Sequence, residues 1–362
     1  GIFMIELYDE YIEKYSNDSE YDSLALNIGG TLKKNFVRVK SESIKDFLDK
    51  ITKENNSYVT YLDDLIKSSD FDNSKEFPLE YVSCMLKDAS RHFGAYNICE
   101  VWGSRIANAL GVPTVFNENV SLNKQTNILS IDCVKPNTHI STLKTKYYQY
   151  IDYKLRQIKC HCFSDFDDWE NLFNACFRNK RDLTDDEELN NLLIGVDFVD
   201  YPFDRDTLDE CVAKFKKDFV KQYLLRVVIL HDKDFYPANL MVVTDETTGK
   251  FSVGSCFDYE FIFNDFSWIP DTFYTDNLKY IMRKYPYEAM KFANAVFNAF
   301  FENGVVSQQK LQTIFGETKS DFVKSKQDCL IKNLNQFASC YLENIDYINK
   351  RKQNFVPDEQ EL

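Results

Sequence analysis

The sequence predicts an α+β fold on three observations. Short β-like runs crowd the first third of the 362 residues, helical periodicity dominates from about Leu143 onward, and one β-hairpin interrupts that helical stretch. With 44% hydrophobic residues the chain can build two lobes, each with a core of its own.

Segments 24–30 (LALNIGG) and 35–41 (NFVRVKS) read as strands around a Gly-Gly turn. Segments 43–54 and 58–69 carry helical periodicity, and 76–93 (EFPLEYVSCMLKDASRHF) is expected to be helical after its proline. In YNICEVWGSRIANALGVP, Ile98, Trp102, Ile106 and Leu110 recur every four residues along one helix face, and Gly111 with Pro113 ends the helix. TNILSIDCV follows as a strand. Lys135-Pro136-Asn137 breaks it and marks the expected boundary between a first lobe, 1–135, and a second, 136–362.

In the second lobe, 163–177, 207–230 and 287–350 carry helical periodicity. LMVV and FSVGSCF, joined by TDETTGK, form the hairpin. No internal repeat or low-complexity linker is present.

The net charge of −14, from 43 basic and 57 acidic residues, argues against direct nucleic-acid binding, which needs a basic surface. No apolar run is long enough to span a bilayer, so no membrane association is expected. No signal peptide is read at the start, and the ten cysteines lack paired spacing, so free thiols in a reducing cytoplasm are expected. The abundance of Lys, Asn, Ile, Tyr and Phe fits an AT-rich, low-GC bacterial genome.

The loop HDKDFYPAN stands between the apolar run LLRVVIL and the hairpin. Asn239 lies just before the first strand and Asp258 just after the second, so antiparallel pairing carries both to one end of the ribbon. Asp234 lies in the loop that feeds the same end. Two carboxylates and an amide suit Mg²⁺, a hard cation that shares oxygen ligands with phosphates. A carboxylate not tied to the metal can orient a hydroxyl and take its proton. An EF-hand fails on the same residues, since Pro237 holds the glycine position and Val243 that of the bidentate glutamate. The plain alternative is a capped turn, where Asp and Asn are common. The hairpin and the second Asp weigh against it.

This arrangement resembles the catalytic loop and metal-binding segment of the protein-kinase-like fold, in which an Asp-x-x-x-x-Asn loop is followed, after a hairpin, by a metal-binding Asp. The order helix, Asp loop, strand, aromatic-Asp resembles most the HipA-type bacterial toxin Ser/Thr kinases. The resemblance implies a bilobal kinase-like fold with a small mixed N-lobe and a large, mainly helical C-lobe. ATP and Mg²⁺ would lie between them, with Asp234 the catalytic base and Asn239 and Asp258 the metal ligands. EVWGSRIANALGVP resembles the family helix whose Glu, here Glu100, pairs with the ATP lysine. Lys40 is the first choice for that lysine and Lys34 the second. IGGTLKK resembles the phosphate loop, with Gly29, Gly30 and Lys34 in matching places. Asp132, Cys133 and Val134 would hold adenine through their backbone. A protein hydroxyl would be the acceptor, and an antitoxin-like partner is implied. His231 lies three residues before Asp234, out of step with His-Arg-Asp, and Tyr259-Glu260 stands where other kinases carry Phe-Gly.

Two other functions stay open. Tyr236-Pro237-Ala238 is reminiscent of His-Pro-Gly in antibiotic phosphotransferases, which would make the acceptor a small molecule. A pseudokinase, a binding module with its lysine misplaced, is the non-enzymatic alternative. Cys160-His161-Cys162 lacks a second Cys/His pair at zinc spacing, so ordinary thiols are expected. Arg91-His92 is expected on a solvated helix face, and His139 in a loop. The acidic runs DFDDWE and DLTDDEEL are expected to cap helix starts, and the aromatic-rich tail to form helical core.

Overall fold

The computed structural model describes residues 5–7, 12–14, 34–55, 81–88, 95–131, 134–146, 164–179, 182, 200–263, 269–317 and 320–353. Segments 24–30, 58–69, 91–92, 160–162 and 183–189 lie outside them. The predicted mixed α/β composition is present. Six strands form one sheet: β1 (Ile5–Leu7), β2 (Ile12–Lys14), β3 (Lys34–Lys40), β4 (Tyr81–Asp88), β5 (Phe116–Leu122) and β6 (Gln125–Ile131), in the order β1-β5-β6-β4-β3-β2.

Strand β4 corrects the helix expected over 76–93. It sits centrally, with Val37 opposite Cys84 on one side and Ile131 opposite Cys84 on the other. Residues 81–87 are all buried. A strand covered on both faces shows no apolar alternation, so its pattern mimics a buried helix.

The two faces of the sheet differ. One carries Val37, Val39, Val82, Cys84, Leu86, Leu129 and Ile131, and helix α1 (Lys45–Asn55) closes it with Ile44, Leu48 and Ile51. The other carries buried Ser83, Lys87, Asn117 and Ser130. Polar side chains inside a fold require partners, and helix α2 (Ala95–Ala109) supplies Glu100 to Lys87 and Asn117. The expected face of α2 is confirmed, but Trp102, Ile106 and Leu110 face the helical core rather than the sheet's apolar face. Arg105 ties the helix down, donating to Glu118 Oε1 at 2.7 Å and to the Ile314 carbonyl at 2.8 Å. Gly111, at φ 68°, turns the chain out of α2.

The second half is helical: α3 (Leu143–Lys146), α4 (Phe166–Cys176), α5 (Arg205–Tyr223), α6 (Asp271–Lys284), α7 (Pro286–Phe300), α8 (Gln308–Phe315), α9 (Asp321–Glu343) and α10 (Ile345–Gln353). A minimal hairpin, β10 (Phe301–Glu302) with β11 (Val305–Val306), separates α7 from α8. Asp165 caps α4 in a reciprocal box with Asp168, as the acidic run predicts. The predicted hairpin is β8 (Met241–Asp245) with β9 (Phe251–Val253). It gains a third strand, β7 (Thr138–Thr142), so His139 lies in a strand opposite Thr244, not in a loop. Among the described residues, cysteines 84, 99, 176, 211, 256, 329 and 340 form no disulfide. Among the described residues no helix is long and apolar enough to cross a membrane.

Candidate active site

Helix α5 does not end in a simple cap. It widens into a wholly buried π-helical turn, Leu224–Ile229, where Leu230 N–H reaches back to the Leu225 carbonyl at 2.9 Å. Asn333 donates to the Ile229 carbonyl at 2.8 Å, which satisfies one of the acceptors at this helix end. The turn carries Arg226 into the interior, fully buried.

The loop that follows is held at both ends. His231, at φ 44°, takes the chain out of the helix and stacks on Tyr274 with ring centroids 3.8 Å apart. Burial pushes its pKa down to about 4, so at neutral pH it is an uncharged wedge. Phe235 is buried against Trp169, and Pro237–Asn239 form a single 3₁₀ turn. Between them Asp234 is half-buried. Its N–H donates to Asp232 Oδ1 at 2.9 Å. Asn239 Nδ2 donates to the Asp234 carbonyl at 2.5 Å and lies 3.3 Å from its Oδ2. With Nδ2 committed, Oδ1 is the Asn239 atom left to face a cation. Burial first, then the Asp232 charge, raises the Asp234 pKa, which makes it a better proton acceptor than a free carboxylate.

The second segment follows β9. Gly254 N–H extends the ladder to the Met241 carbonyl, and Cys256 then pairs with the chain at the end of α2 through Pro113 and Val115. Tyr259 meets Thr114 Oγ1 at 2.7 Å through its hydroxyl. Its ring lies where a side chain at position 103 would be: a Cβ on Gly103 would run into it. Helix α2 therefore touches the Asp258 segment because it has a glycine there. Asp258 adopts φ 62°, a left-handed conformation that Asp tolerates better than most residues.

Glu100 is fully buried and has a cation, but not an expected one. Lys87 of β4 donates to Glu100 Oε1 at 3.2 Å. Lys40, the first choice for this role, is exposed at the far end of β3, opposite Tyr81. Lys34 lies in β3 directly across the ladder from Lys87. The correction has a plain cause: Lys87 lies on the polar face of a central strand, the face that α2 covers. The other oxygen of Glu100 is held by Asn117 Nδ2 at 3.3 Å, and Ser130 Oγ donates to Asn117 Oδ1. Asn117 and Ser130 are register partners in β5 and β6, so the sheet itself holds the Glu100 carboxylate.

One oxygen each of Glu100, Asp258 and Glu260 lie within 4.8 Å of one another. Lys87 feels all three: burial opposes its charge, but Glu100, Asp258 and Glu260 outweigh burial and raise its pKa. Burial, followed by repulsion from Glu100, pushes Asp258 from 3.8 up to about 7. Three carboxylates against one ammonium leave negative charge in excess, and an all-oxygen donor set suits a divalent hard cation. Asp258 and Asn239 fit Mg²⁺ in this respect, since Glu100 is already committed to Lys87 and Asn117.

The raised Asp258 value favours the protonated form of the folded chain. Its contribution to stability is full below about pH 4 and is lost as pH rises to about 7. Urea unfolding across this range, without added metal, is expected to show that loss, and Asp258→Asn to flatten it.

Of the other expected site residues, Val134 is buried in an apolar cluster with Ile140, Met241 and Phe257. Gly29, Gly30, Asp132 and Cys133 lie outside the described residues. Sequence reasoning missed Lys87, Arg226, Asp232 and Gly103. For Lys87 the signal was a lysine at the end of an otherwise apolar run.

No protein-family model matches the chain, and no curated protein matches it in sequence. Among solved structures, the chain is similar to the Helicobacter pylori proinflammatory kinase CtkA, at 11% identity and a TM-score of 0.44, covering 99% of this chain and 100% of that one. It is also similar to the Shewanella oneidensis MR-1 toxin–antitoxin system of HipA, HipB and its operator DNA, at 11% identity and a TM-score of 0.40, covering 92% of this chain and 76% of that one.

Proposed function

We propose that the chain is an ATP- and Mg²⁺-dependent phosphotransferase of the HipA type, transferring the γ-phosphate to a protein hydroxyl. The observation that carries this reading is the buried Lys87–Glu100 pair beside Asp258, in a chain that also presents Asp234 and Asn239 on a rigid loop. The reading divides the chain into a nucleotide lobe, 1–135, and a mainly helical lobe, 136–362. The sheet has a core of its own, while helix α2 of the first lobe packs into the helical core across that division.

In this scheme Lys87, aimed by Glu100, holds the α/β-phosphates. Val134, Ile140, Met241 and Phe257 give adenine an apolar floor. Asn239 and Asp258 would hold Mg²⁺, which would supply positive charge to the phosphate oxygens. Asp234 orients the acceptor hydroxyl and takes its proton as the oxygen attacks phosphorus. The bond from phosphorus to the bridging oxygen breaks, and ADP leaves with that electron pair.

The Lys87–Glu100 pair favours an active enzyme over a pseudokinase, because a misplaced lysine was the ground for the latter. A small-molecule acceptor uses the same groups and rests on the Tyr236-Pro237-Ala238 turn alone. The resemblance further suggests an antitoxin-like partner and a cytoplasmic setting. The net charge of −14 leaves any contact with DNA to that partner.

The test is transfer from radiolabelled ATP with Mg²⁺, first to the chain alone and then in a lysate. Label on the chain or on a lysate protein, lost in Asp258→Ala, is expected. No label and no rise in melting temperature with ATP would sink the reading.

A further inference from the structure

We propose that Arg226 is the positioning residue that locks the Asp234 loop and the Asp258 segment into one register. The inference rests on the phosphotransfer reading. The two segments are separated by the whole hairpin, and a single buried guanidinium spans them. Its Nε donates to Asp232 Oδ2 at 2.6 Å. The other oxygen of Asp232 accepts the Asp234 N–H at 2.9 Å. On the opposite side, Nη1 donates to the Phe257 carbonyl at 2.6 Å and Nη2 to the Asp258 carbonyl at 2.8 Å. The flat faces are covered by the rings of Phe235 and Tyr259, whose centroids lie 4.9 and 4.8 Å away. These rings belong to the residues that follow Asp234 and Asp258 in the chain. Each segment therefore contributes an oxygen contact and a ring.

Chemistry explains why the residue is arginine. Three nitrogens donate to three separate oxygens, which a guanidinium fork matches and an ammonium does not. Arg226 stays charged despite full burial, because Asp232 and the smaller contributions of Cys256, Tyr259 and Asp258 together outweigh the cost of desolvation. The carbonyl that Nη2 holds is that of Asp258, the residue at φ 62°, so the contact also fixes an uncommon backbone state. The π-helical turn has a purpose in this reading: it delivers Arg226 between the segments at the point where an ordinary helix would continue.

A structural ion pair and a positioning device make different predictions. Replacing a buried pair with apolar residues of similar volume is often neutral for stability. The double variant Arg226→Met with Asp232→Leu tests this. Expected is a melting temperature near that of the parent and a fall in kcat of about 100-fold, the size of effect that a small misplacement of reacting groups produces. Binding of a non-hydrolysable ATP analogue without Mg²⁺ should stay near the parental value, since Lys87 is untouched. The tightening that Mg²⁺ brings should shrink by about tenfold or more, since Asp258 is no longer held in place.

If the double variant fails to fold, Arg226→Lys retains the charge and gives the same readouts. Either folded variant with parental kcat and parental Mg²⁺ enhancement overturns the inference while leaving the kinase reading intact. A parent chain that binds no nucleotide and transfers no phosphate overturns both.

Discussion

Lys87→Met is expected to damage the protein twice. Glu100 is fully buried and Lys87 nearly so, and their contact is 3.2 Å. Removing the cation leaves a carboxylate in the interior with Asn117 as its one remaining side-chain donor among the described residues, a class of change that costs about 3–5 kcal/mol. Urea unfolding should show a lower midpoint with an unchanged slope. Nucleotide binding should fail as well, because Lys87 is the ammonium that Glu100 holds. The double variant Lys87→Met with Glu100→Gln separates the two effects. It removes the stranded charge, so stability should largely return while nucleotide binding does not. A Lys87→Met protein that binds ATP as the parent does would move the nucleotide site elsewhere, whatever its stability.

Asp234→Asn should do the opposite: little to the fold and much to the chemistry. Besides a 3.3 Å contact of its Oδ2 with Asn239, which an amide oxygen also accepts, the loop is held here by backbone atoms of Asp234, its N–H to Asp232 and its carbonyl to Asn239. Neither needs the carboxylate, so the melting temperature and ATP binding should stay close to those of the parent. Phosphate transfer should fall by about 10²–10⁴-fold, the usual contribution of a positioned general base. Retained transfer would mean that the proton goes elsewhere and that Asp234 is only a loop residue. The contrast with Lys87→Met is informative because the two residues stand at different burial. Under the proposed function the half-buried one would serve reactivity alone, and the buried one both architecture and reactivity.

The parts of the site that were legible in the sequence share a property. Asp234, Asn239 and Asp258 are placed by local rules: a helix that stops, a short loop, and a hairpin whose geometry returns its ends to one place. Glu100 was legible because helix α2 announces itself by a four-residue apolar recurrence and a Gly-x-Pro stop, and the family resemblance then singled out its glutamate. The capped start of α4 and the β8–β9 hairpin were read correctly for the same reason, since each depends on residues close together in the chain.

What the sequence determined by itself was therefore the set of elements with a clear period and the loop between two of them. Tertiary structure decided the pairings. β4 was misread because burial on both faces erases the alternation that marks a strand, and with it Lys87 was lost. Arg226 sits in an apolar helical run, where a lone arginine reads as one that extends its head to water. Its meaning comes from Asp232, Phe257 and Asp258, which meet only after the hairpin folds back. Gly103 takes its meaning from the Tyr259 ring, which fills the space above it. Periodicity reports which side of an element is apolar. It carries no information about which distant charge will lie opposite, because an ion pair such as Lys87–Glu100 is fixed by the ladder that aligns the strands and by the helix packed across them.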